Sequence, residues 1–201
     1  MRRLMRFGVH ALLARREGLA YTHVAWASIV ALAYLLTQAA DLGWLIAPTL
    51  LLYSALGVIT LFDARYFFIP DIMIVFLAVC GGVVFLMIDA NSAPIHAAAA
   101  IFAYAAFRAI AFLYYHFRGE AGLGLGDAKL FGVAGLWLGF EGLPTCLIVA
   151  VVSALASAAI IHRDTAIKSA RLAIPFGPHL ALGLWIVWAF GPLEHSWLYP
   201  A

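Results

Sequence analysis

Charge is what this sequence has least of. Only 11% of its 201 residues are Asp, Glu, Lys or Arg, against 66% that are hydrophobic. Soluble domains are about a quarter charged and about half apolar. The shortage excludes an ordinary water-soluble domain and points to an integral membrane protein. Cysteine is scarce as well: Cys80 and Cys146 are the only two, and both lie in apolar stretches. That count excludes a disulfide framework, and the lack of any C-x-x-C excludes a cysteine zinc site. The seven histidines are scattered, none within three to five residues of another, so a histidine metal site has no support. There is no G-x-S-x-G, no H-E-x-x-H and no G-x-x-x-x-G-K-[ST]. The expectation is therefore no metal and no cofactor. A basic patch with interleaved aromatics is missing too, which argues against nucleic acid as a partner.

What is present is a run of apolar segments separated by short polar turns. A spanning helix needs about 20 apolar residues, and the segments read as 19–40, 42–62, 72–88, 95–117, 130–140, 145–161 and 172–190. The fifth is short. The fold class expected is an all-α polytopic helical bundle with about seven transmembrane helices. Residues 1–18 form a basic N-terminal segment, read over 3–16 as an amphipathic helix on the membrane surface. Residues 19–201 form the transmembrane domain.

Lys and Arg set the orientation. With the N-terminus in the cytoplasm, every Lys and Arg except Arg108 falls on the inside. The outer turns then carry Asp41, Asp89, Glu141 and Glu194 and no basic residue. The same rule requires the short fifth segment to cross. Otherwise Arg163, Lys168 and Arg171 would be carried outside. The protein is expected in the cell inner membrane, with the lipid bilayer as a partner.

Two stretches stand out against this apolar background. One is Gly122-Leu123-Gly124-Leu125-Gly126-Asp127-Ala128-Lys129-Leu130. The other is Asp63-Ala64-Arg65-Tyr66-Phe67-Phe68-Ile69-Pro70-Asp71. Carboxylates at the edge of membrane segments are costly and mark function. Two crossings separate Asp63 from Asp127, so both sit at the cytoplasmic face and the chain can bring them together. A carboxylate pair of this kind can activate water against an amide, one group taking the proton and the other donating one.

These residues resemble the type IV prepilin peptidases and, more distantly, the archaeal preflagellin peptidases. Both are membrane aspartic proteases of the GxGD type, a class that includes presenilin and signal peptide peptidase. Gly124-Leu125-Gly126-Asp127-Ala128-Lys129-Leu130, with Gly135 and Leu138-Gly139 after it, is similar to the family's second catalytic motif. Asp63, ahead of Ile69-Pro70-Asp71, is similar to the first. Ile174-Pro175-Phe176-Gly177-Pro178 resembles a segment near the C-terminus of the bacterial enzymes. The resemblance covers roughly residues 42–190. It implies an aspartic endopeptidase with Asp63 and Asp127 as catalytic residues. Its substrates would be prepilins or pseudopilins, cut after a glycine between a basic leader and a hydrophobic helix on the cytoplasmic side. Many bacterial members add a cytoplasmic domain with paired C-x-x-C motifs, linked to N-methylation. This sequence has neither, so it resembles the short peptidase-only members, and methyltransferase activity is expected to be absent.

The remaining candidates support the site. Gly122, Gly124, Gly126 and Lys129 belong to the catalytic loop. Lys129 is either an interfacial anchor or a group that tunes Asp127. Asp71, after Pro70, is read as the N-cap of the third segment. Arg108 either snorkels inward or neutralises an acidic group in the bundle. Pro175 and Pro178 shape the start of the last segment. Helix dipoles, read from the sequence, place Asp127 at a helix N-terminus as the ionised base and Asp63 at a helix C-terminus as the protonated acid. Two other readings stand beside it, a small proton-coupled transporter and a non-catalytic assembly protein of a pilus or secretion system. The absence of an internal repeat and the placing of both aspartates at one face argue against the transporter.

Overall fold

The computed structural model describes residues 45–120, 122–162 and 174–192. The expected first crossing at 19–40, the basic surface helix at 3–16, nearly all of the sixth loop and the residues after 192 lie outside the described residues. Five α-helices follow in order: α1 (Ile46–Tyr66), α2 (Asp71–Ile88), α3 (Ala93–Arg118), α4 (Leu125–His162) and α5 (Gly177–Phe190). There is no strand among the described residues. The first four are long and apolar enough to cross a membrane, while α5, at 14 residues, is shorter. Their outward faces are apolar, with Ile101 71% and Phe117 78% exposed. Water does not favour such a surface, but hydrocarbon does.

The helix α1 runs past the expected end at residue 62. It stops where Phe67 turns left-handed (φ 54°) and its N–H bonds the Asp63 carbonyl at 2.9 Å. Asp63 is thus inside the last turn rather than beyond it. The start of α2 also differs from expectation. Pro70 is the N-cap and Asp71 is the first helical residue, and no side chain caps this end.

The break between the fifth and sixth segments was expected at Glu141–Pro144. Those residues are helical, and the break is at Gly139, with φ 65° and ψ −172°. That conformation is open only to glycine. A straight helix of 38 residues would be about 57 Å long, far more than a bilayer core, and Gly139 is where it turns back. The contacts of α4 trace the reversal. In its first half Phe131 stacks on Phe107 at 4.1 Å and the Leu136 carbonyl accepts from His96 Nδ1 at 2.9 Å, so residues 125–138 run antiparallel to α3. Trp137 Nε1 donates to the Leu77 carbonyl at 3.0 Å, in the first half of α2. In the second half Gly142 packs on Val187, Cys146 reaches the Leu180 carbonyl and Ser153 meets His179 at 3.0 Å. Residues 140–162 therefore descend along α5 toward the end from which the helix came.

The short helix α5 is the best-buried of the five and sits among the others. It runs antiparallel to α1, with Gly177 at Asp63, Trp185 against Tyr53 at 4.9 Å and Trp188 Nε1 on Thr49 Oγ1 at 3.2 Å. Protein rather than lipid surrounds it, so its length need not match the bilayer. The core includes Leu52, Ile59, Leu77, Leu130, Trp137, Leu180 and Leu184.

Candidate active site

The bundle brings three helix ends together. Asp63 ends α1, Asp127 lies in the first turn of α4, and Gly177 opens α5. Asp63 is 6% exposed and Asp127 is partly buried. The two carboxylates stand close enough for Asp127 to feel the charge of Asp63.

Each carboxylate is held by a backbone N–H. Helix N-termini leave four such donors without intrahelical partners. The Gly177 N–H donates to Asp63 Oδ2 at 2.9 Å, deep in the bundle. A Cβ on Gly177 would stand 2.6 Å from that oxygen, so only glycine lets the carboxylate come this close. The Asp127 carboxylate accepts from the Gly124 N–H, while the Gly124 carbonyl accepts from Ala128 at 3.3 Å. The carboxylate at the third helical position thus reaches back to the N-cap N–H, which is one half of a capping box; the Gly124 carbonyl takes the ordinary first bond of the helix, and glycine has no side chain to supply the other half. The loop glycines fit tightly. Gly122 lies against the Tyr114 ring, and Gly126 lies against Ile69.

The sequence placed Asp63 at an unfavourable helix C-terminus. That is true of α1 alone, but the N-terminus of α5 faces the same carboxylate with its positive end. Both aspartates thus stand at helix N-termini. The ground on which the sequence assigned the proton to Asp63 is removed.

The model of the type IV leader peptidase family matches residues 50–160. The chain belongs to this family. It is 32% identical over 159 residues to a prepilin leader peptidase/N-methyltransferase of Aeromonas salmonicida, covering 77% of this chain and 53% of that protein. It is 30% identical to the Pseudomonas aeruginosa protein of the same name, covering 74% and 51%. The Xanthomonas campestris one is also 30% identical, with 74% and 52% covered. The chain spans about half the length of the curated relatives it matches. No solved structure matches it.

The other candidate residues of this leader peptidase family member are now placed. Asp71 is not an N-cap. Its carboxylate, 67% exposed, takes the Lys129 ammonium at 2.7 Å. Lys129 is accordingly neither a simple anchor nor a direct partner of Asp127. Arg108 is exposed on α3 and has no acidic partner among the described residues. Among the described residues no group of His, Cys, Asp or Glu is arranged to hold a metal ion. Besides the Asp71–Lys129 pair, two further contacts escape the sequence reading. One is the Gly177 N–H on Asp63, for which the Pro175-Phe176-Gly177-Pro178 stretch was the available signal. The other is Ile69 against Gly126, for which there was none beyond proximity to Pro70.

Proposed function

We propose that this protein is an aspartic endopeptidase that removes the basic leader from type IV prepilins or pseudopilins. The observation that carries the reading is the pairing of Asp63 with Asp127 at one end of the bundle, each oriented by a backbone N–H. A water held between the carboxylates loses a proton to one of them as its oxygen attacks the scissile carbonyl carbon. The other carboxylic acid hydrogen-bonds the carbonyl oxygen. When the tetrahedral intermediate collapses, the C–N bond breaks and the amine takes up a proton. The leader leaves with a new carboxyl end, and the mature chain with a free amino end. Because the carboxylates are coupled, their titration belongs to the pair.

The surroundings favour such a substrate. Phe67, Phe68 and Leu125 are exposed beside the pair and offer an apolar rim to the hydrophobic helix that follows the leader. The relatives' names give leader peptides of prepilins as the substrate class.

The topology belongs to the same proposal. Counting α1, α2, α3, the two halves of α4 and α5 gives six crossings, and the segment at 19–40 would be a seventh. Lys and Arg placement then puts the N-terminus and the aspartates on the cytoplasmic side of the inner membrane.

The test is cleavage of a synthetic prepilin leader peptide by the purified protein in detergent, read by mass spectrometry. Cleavage after the leader glycine by the wild type, and none by Asp63→Asn or Asp127→Asn, is the expected result. Unaltered cleavage by either variant would remove the mechanism.

A further inference from the structure

The segment joining α1 to α2 does more than connect them. It lies along the start of α4, where Asp127 is. Ile69, 4% exposed, contacts Gly126, whose Cβ would stand 3.1 Å from the isoleucine Cβ. Two residues on, Asp71 holds Lys129 at 2.7 Å. Between them Pro70 has φ −65° and an extended ψ of 123°. Its ring locks that φ and so sets the spacing of its two neighbours. Residues three apart on a helix share a face. Gly126 and Lys129 therefore present one face to residues 69–71, and Asp127 is turned about 100° away from Gly126, off that face. The segment grips α4 one residue before Asp127 and two residues after it.

We propose that Asp71 and Lys129 are positioning residues. Their ion pair, with the Ile69 contact, sets the rotation and depth of the first turn of α4, and so the placement of the Asp127 carboxylate against Asp63. The inference rests on the endopeptidase reading above. Exposed ion pairs add little to stability, and both side chains keep solvent contact. Alignment is the role left to a pair that spans 58 residues and joins the chain after one aspartate to the turn bearing the other.

The purified full-length protein in detergent is assayed with the leader peptide as wild type, Asp71→Asn, Lys129→Met, the double variant and Lys129→Arg. Misplacing a reacting group by about 1 Å can cost up to about a hundredfold. We expect kcat to fall about tenfold in each single neutral variant, with KM and melting temperature unchanged. The double variant falls no further than the worse single, because one interaction is lost in all three. Lys129→Arg restores most of kcat. A wild-type kcat in Asp71→Asn overturns the proposal. So do losses that multiply in the double variant, or losses that track the folded fraction. If Lys129→Met alone is impaired, Lys129 acts without Asp71 and the clasp is refuted. Failure of the wild type to cleave at all is a different outcome, which refutes the endopeptidase reading itself.

Discussion

The two ends of the bundle solve the same packing problem with different chemistry. At one end Asp63, Asp127, Asp71 and Lys129 gather around the starts of α4 and α5. At the other, Trp137 stands edge-on to Trp188 at 5.1 Å, Trp188 bonds Thr49, and His96 stacks on Phe85 at 3.7 Å. The aromatic end pairs Trp137 with the Leu77 carbonyl and His96 with the Leu136 carbonyl, both neutral partners, and leaves the buried Trp185 Nε1 without a partner among the described residues. The acidic end brings two carboxylates near enough for Asp127 to feel the charge of Asp63, each held by a backbone N–H. Neighbouring like charges carry a cost in stability, which the neutral contacts of the aromatic end avoid. Substitutions at the two ends should accordingly affect different measurements.

The largest effect should come from the dyad. Asp63→Asn and Asp127→Asn should each lower kcat/KM by about a thousandfold or more, the scale of a lost general acid or base. Neither should lower the melting temperature. A marked loss of stability in both would mean that the acidic end holds the fold together and would erase the contrast.

Next is Gly177→Ala. Its methyl group would meet Asp63 Oδ2 at 2.6 Å, so the carboxylate must move. Activity should fall about a hundredfold, as for a displaced catalytic group, while thermal unfolding shows a folded protein. Wild-type activity here would show that the N–H of α5 is not what orients Asp63.

Gly139→Ala acts at the other end. It forces a glycine-only conformation on alanine, at a cost of about 1–3 kcal/mol, and its Cβ would lie 3.3 Å from the His96 ring. Denaturation should report the loss, with kcat per folded molecule kept. A kcat collapse without destabilisation would show that the reversal in α4 is coupled to the site.

A comparable loss of stability, again without a change in catalysis, is expected for Trp137→Phe. The buried indole donates to the Leu77 carbonyl at 3.0 Å, and its removal should destabilise by about 1–3 kcal/mol. The pH–rate profile should be superimposable on that of the wild type. A shifted profile would carry an influence of Trp137 along α4 to Asp127.

Much of the fold was legible from composition and periodicity. The spans α1, α2 and α3 fall within a few residues of the apolar segments read for them, because a chain in hydrocarbon must satisfy its backbone within each helix. The ends were less legible. Asp63 looked terminal because it interrupts an apolar run, yet the helix continues to Tyr66. The turn after the fifth segment was read at Glu141–Pro144 from polar and proline residues, but the chain reverses at Gly139. Polarity marks where a chain can leave the bilayer, whereas a sharp reversal depends on which residue can take φ near 65°.

The candidate site divides in the same way. Asp63 and Asp127 stood out in the sequence because a carboxylate is conspicuous among apolar residues and two at one face imply a common task. What the sequence could not decide is what touches them. It read Asp71 from its neighbours as a cap, and the bundle assigns it to Lys129. It read Asp63 as facing only the negative end of its own helix, and the bundle places the start of α5, 114 residues away, against that carboxylate. Composition, apolar periodicity and isolated charges are properties of single segments, so the sequence alone determined the membrane class, the helices and the two acids. The direction of each side chain and the partner of each charge arise from contacts between segments, and only the tertiary structure decided those.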